Sequence, residues 1–180
     1  HCSRDVQGGG GTTTIVQITD RDTCRCIYEK AVETYNLDWD EMREFERMID
    51  NAEADPEDSI TAACALVEAV CRSILVELES ELPRDRTITS LYKDVAKKLG
   101  ISADREDIAP EVADEVKRIL GSLAGTVAGI GHLRTKGGDA HGREHTARTV
   151  DPRIARLAIG SAATLSLFLI ETWQSKTTMQ

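Results

Sequence analysis

The chain has 180 residues, 41% of them hydrophobic, and a formal net charge of −9, which allows one sizeable core and makes a single domain the default. That acidic balance excludes a surface that grips nucleic acid everywhere, because affinity for phosphate backbones comes from Lys and Arg displacing counterions. No stretch approaches the roughly 18 to 20 uninterrupted apolar residues of a membrane span, and the start has no signal-sequence pattern, so a soluble, cytoplasmic protein without membrane contact is expected.

Residues 1–19 open with His1 and run through Gly8 to Gly11 and Thr12 to Thr14. This composition buries little, and the segment reads as flexible and cloning-derived, or as the torn edge of a longer protein. Thr12 to Ile18 is strand-like, but one isolated segment cannot make a stable sheet. Residues 20–54 form an N-terminal helical region, with Met42, Phe45, Ile49 and Ala52 at steps of three and four. The five cysteines are an odd number, and Cys24 and Cys26 or Cys64 and Cys71 fit neither a disulfide framework nor a zinc spacing. A reducing compartment fits best, with Cys64 and Cys71 as small core residues on one helical face.

Asp55-Pro56 is a cap followed by a first-turn proline, and it opens a helix whose apolar stripe runs through Ile60, Cys64, Val67, Cys71, Ile74 and Leu78 towards Pro83. Leu91, Val95 and Leu99 form a shorter stripe closed by Gly100. The next helix begins near Pro110 and carries Val112, Val116, Ile119, Leu123, Val127 and Ile130. Gly121, Gly125 and Gly129 fall four apart on one of its faces, at a cost of roughly 0.8 to 1 kcal/mol each relative to Ala. Close approach of a neighbouring backbone, within the fold or across a dimer, is the expected compensation. Asp151-Pro152 repeats the cap-plus-proline opening, and Ile154, Leu157, Ala158, Leu165, Leu169 and Trp173 hold helical register to the end. The class is all-α, a helical bundle.

Charge is uneven. Residues 132–156 hold six bases, Arg134, Lys136, Arg143, Arg148, Arg153 and Arg156, against three acids, Asp139, Glu144 and Asp151; this window is +3 and the remainder −12. His132, His141 and His145 lie there too. A cationic island in an acidic protein suits a focused anionic ligand, although an exposed loop of scattered charge has the same composition. Gly137 and Gly138 are expected to break the helix after Arg134, with His141 returning as the next segment begins. Metal-free RNA cleavage needs a base for the 2′-OH proton, an acid for the leaving 5′ oxygen, and a cation for charge developing on the phosphoryl group. Histidine and arginine are the matching residue types.

The segment from Asp55 to Trp173 resembles the abortive-infection C-terminal domain, a branch of the HEPN superfamily. The features that carry the resemblance are Asp55-Pro56-Glu57, the run Leu66 to Leu75, Ile119-Leu120-Gly121-Ser122-Leu123, Leu133-Arg134 through Ala140-His141-Gly142, and Phe168 to Trp173. HEPN proteins are described by an Arg, four to six residues, and a His; Arg134 and His141 enclose six. The resemblance implies an HEPN-like bundle over residues 55–180, a homodimer with two facing Arg–His pairs, and a metal-independent endoribonuclease without cofactor that cleaves RNA such as tRNA in phage defence or a toxin–antitoxin system. By carry-over His141 is the general base or acid and Arg134 stabilises phosphoryl charge. Thr135 stands where such motifs usually carry Asn, Asp or His.

Supporting roles are weaker. Glu68 and Arg72, four apart on a helix, read either as a cleft-facing pair, as in the family, or, the preferred reading, as a surface ion pair. Asp139 can orient His141 but better fits a turn. Lys136, Arg143, His145 and Arg148 are candidate RNA contacts. His141 and His145 lack a third metal ligand at suitable spacing, so no metal site is expected, and a metal-dependent hydrolase is a distant reading. The rival functions are an inactive HEPN dimerisation or partner-binding module, with an antitoxin as partner, and the effector of a longer sensor protein.

Overall fold

The computed structural model describes residues 52–138 and 150–178. They form four α-helices with no strand among the described residues: α1 (Pro56–Glu77), α2 (Ile88–Leu99), α3 (Ala113–Gly138) and α4 (Pro152–Thr178), with a 3-10 turn at Pro110–Val112 leading into α3. The all-helical expectation is met.

Helix α1 starts where its sequence says it should. Asp55 accepts a hydrogen bond from the Asp58 amide at 3.0 Å, and Pro56 occupies the first turn, where its missing N–H costs nothing. It ends at Glu77, short of Pro83, through two crossed bonds: Ser80 N–H donates to Leu75 O and Glu79 N–H to Val76 O. Glu79 takes a left-handed φ of 49° to make them. The same pair of bonds closes α2, from Ile101 N–H to Ala96 O and Gly100 N–H to Lys97 O, with Gly100 at φ 68°.

Helix α1 is the centre of the bundle, packing on α4 most extensively and also on α2 and α3. Its fully buried Ile60, Val67 and Leu75 meet Leu91, Val95 and Leu99 of α2, Val127 of α3, and Leu165 and Leu169 of α4 in one hydrophobic cluster. Trp173 and Phe168 pack on the edge of that cluster. Helices α1 and α4 are long and apolar enough to cross a membrane by length and composition, and 56% and 50% of their apolar windows are buried inside the bundle.

Helix α3 includes Gly137 and ends at Gly138, the glycine pair expected to break it after Arg134, and the residues that follow lie outside the described ones. The glycine stripe behaves differently from expectation. A Cβ at Gly125 or Gly129 would meet nothing within 4 Å, and one at Gly121 only the Ala103 methyl at 4.0 Å. No backbone within the described fold approaches them. The close approach is instead at Gly131, where a Cβ would lie 2.8 Å from Cγ2 of Ile88.

Candidate active site

Arg134 sits in the last turns of α3, one turn beyond Gly131. The tight α2–α3 contact at Gly131 sets the height at which α3 passes α1, and on that level Arg134 projects towards the middle of α1. There its Nη1 donates to Glu68 Oε1 at 2.8 Å and to Cys64 Sγ at 3.4 Å. The other carboxylate oxygen of Glu68 accepts from Nη2 of Arg72 at 3.3 Å. One carboxylate therefore serves two guanidiniums, and the trio keeps a net positive charge.

The preferred reading of Glu68 and Arg72 as a plain surface pair is thus incomplete. Their bond exists, but the Glu68 side chain is only 13% exposed and its shorter bond goes to Arg134, 66 positions away. Cys64 is buried, as expected of a core residue, yet its S–H also reaches Glu68 Oε1 at 3.6 Å. Burial, more than the opposing hydrogen bond from Arg134, pushes the Cys64 thiol up from its ordinary value, so it is neutral at physiological pH. Contact with Cys64, and then with Glu68, raises the already high pKa of Arg134. Its Nε and Nη2 have no hydrogen-bond partner among the described residues.

Thr135 is exposed, and its hydroxyl donates to Gly131 O at 3.1 Å within its own helix. Lys136 is exposed in the last turn of α3. Asp139, His141, Arg143, His145 and Arg148 lie outside the described residues. Among the described residues no three His, Cys, Asp or Glu side chains gather as a metal site would need. At the start of α4, Asp151 pairs with Arg153 and is held down to about 2 by that arginine, and Arg156 pairs with Glu53. These two members of the cationic island are taken up by structural pairing. Sequence reading offered Glu68 at the cleft only through the resemblance and missed Cys64, for whose contact with Arg134 no local signal exists.

The family model for Abi_C, a HEPN-like domain, matches residues 39–173, a span that contains α1, α2 and α3, all but the last residues of α4, and the Arg134 to His141 segment. The chain belongs to this HEPN-like family. Its match begins at residue 39, ahead of the Asp55 at which the resemblance in the sequence starts. No curated protein and no solved structure matches the chain. At the level of the superfamily, a HEPN-like domain is compatible with a nuclease or defence-related role.

Proposed function

We propose that this HEPN-like protein is a metal-independent endoribonuclease that works in the cytoplasm as a homodimer, with two Arg134–His141 pairs facing one cleft. His141 exchanges the protons, taking one from the attacking 2′-OH or giving one to the leaving 5′ oxygen, and Arg134 stabilises charge developing on the phosphoryl group. The products are a 2′,3′-cyclic phosphate and a 5′-hydroxyl. Lys136, Arg143, His145 and Arg148 contact neighbouring phosphates of the RNA, with tRNA as the first substrate to try.

The observation that carries this reading is the state of Arg134. It is anchored by one nitrogen to an acceptor pair on α1, while the Nε–Nη2 edge, the two-donor fork that matches two phosphate oxygens, has no partner among the described residues. An arginine kept only for stability would more economically spend that fork on a carboxylate.

A second reading is favoured by Thr135 and the glycines. The Thr135 hydroxyl is bonded back to its own helix, and Gly125 and Gly129 present an open face, features that fit a non-catalytic module binding a second copy, an antitoxin or a sensor domain. Incubation of the purified protein with tRNA in EDTA separates the two: cyclic-phosphate ends support the ribonuclease, and intact RNA with a folded dimer supports the module.

A further inference from the structure

Cys64 is indistinguishable in sequence from its neighbours in the apolar stripe, and its burial is that of a core residue. Its bonds are not. Nη1 of Arg134 lies 2.8 Å from Glu68 Oε1 and 3.4 Å from Cys64 Sγ, and the thiol itself is 3.6 Å from the same carboxylate oxygen. The three groups close a triangle around one nitrogen. A thiol is suited to this corner because sulfur is a weak acceptor for the guanidinium and its S–H a weak donor to the carboxylate.

The triangle is one-sided. A carboxylate that pairs with a guanidinium through two nitrogens occupies the edge a phosphate would use, whereas Glu68 engages Nη1 alone. Glu68 is itself fixed, since Arg72 holds its second oxygen. The acceptor pair therefore sets the direction of Arg134 without consuming its fork, and the charge of Arg72 offsets that of Glu68 so that Arg134 is not neutralised.

We propose that Cys64 and Glu68 are positioning residues, a thiol–carboxylate cradle that grips Arg134 by Nη1 and presents its Nε–Nη2 edge to an RNA phosphate. The identity of the phosphate rests on the ribonuclease reading above; the cradle does not.

The test uses two readouts on the full chain. Arginine-selective labelling with phenylglyoxal, mapped by mass spectrometry, reports how firmly Arg134 is held, with or without activity. Initial rates on tRNA report kcat and KM separately. Loss of a hydrogen bond to a charged group corresponds to a factor of roughly 10 to 100. Glu68→Gln and Cys64→Ala are therefore expected to speed labelling of Arg134 and to lower kcat within that range while KM stays put. Cys64→Ser, which keeps a donor and an acceptor, should bring both readouts back to within about threefold of wild type. Combining Glu68→Gln with Arg134→Ala should cost nothing beyond Arg134→Ala, because the cradle acts only through Arg134. Wild-type labelling of Arg134 in folded Glu68→Gln and Cys64→Ala overturns the proposal, as does a Cys64→Ser protein that behaves like Cys64→Ala. Should Glu68→Gln fail to fold, the Cys64 pair decides alone. A wild-type protein that leaves both tRNA and total RNA intact counts against the ribonuclease, and labelling then still decides the cradle.

Discussion

Gly131 of α3 and Ile88 of α2 are in such close contact that a methyl group on Gly131 would come within 2.8 Å of the Ile88 Cγ2 atom. Ile88 is buried and branched at Cβ, so this atom cannot swing aside as the end of a long side chain would. Since Arg134 lies one turn further along α3, the contact fixes the level of the candidate site as well as the helix pair.

The glycines of α3 should therefore split into two kinds. Gly131→Ala is expected to destabilise the protein by about 1 to 3 kcal/mol through overpacking. Gly125→Ala and Gly129→Ala, which meet nothing, should each raise stability by about 0.5 to 1 kcal/mol by restoring helix propensity. Urea denaturation of the three variants checks this, and a loss of stability at Gly125 would contradict an open face.

Helices α1 and α2 end in the same crossed-bond motif, one with Glu79 and the other with Gly100 in the left-handed position. The Cβ of an L-residue there costs about 1 to 2 kcal/mol. Gly100→Ala is expected to lower stability by about 1 kcal/mol, and Glu79→Gly to raise it by up to about that amount. The melting temperatures of the two variants should move in opposite directions.

Much of this architecture is legible along the chain because its cues are local. Asp55-Pro56, Asp151-Pro152 and Gly100 mark helix ends by capping chemistry, and stripes such as Ile60, Val67, Cys71 and Ile74 name the buried face. What stays hidden depends on pairs distant in sequence. Glu68 has an evident partner four residues away in Arg72, which conceals its shorter bond to Arg134. Cys64 looks like a core residue because it is one. Gly131 lies off the conspicuous Gly121, Gly125, Gly129 stripe, and only the packing of α2 shows that it is the glycine that matters.

Burial, helped by the Glu68 charge, pushes the Cys71 thiol up from its ordinary 9.0 to about 12. The unfolded chain therefore loses this proton above about pH 9 while the folded protein keeps it, so stability falls as pH rises from 9 towards 12. Between pH 8 and 10 the wild type should lose about 1 to 2 kcal/mol more than Cys71→Ala does. Urea denaturation at the two pH values measures that difference; equal slopes would contradict a buried neutral thiol.

Tyr92 is buried with its hydroxyl unbonded among the described residues. An unpaired buried hydroxyl costs about 1 to 3 kcal/mol. Tyr92→Phe keeps the ring and removes that cost, so it is expected to hold or raise the melting temperature, and a clear drop would mean the hydroxyl has a partner.

The most direct measurement of the central claim is cleavage of total RNA and tRNA in EDTA by wild type, Arg134→Ala and His141→Ala, with the product ends mapped and the fold of each variant checked by thermal melting. The account predicts 2′,3′-cyclic phosphate ends from the wild type, and from each variant a rate lower by about 100-fold or more with melting preserved. Wild-type rates in a folded Arg134→Ala protein, or RNA left intact by a folded wild-type dimer, would contradict it.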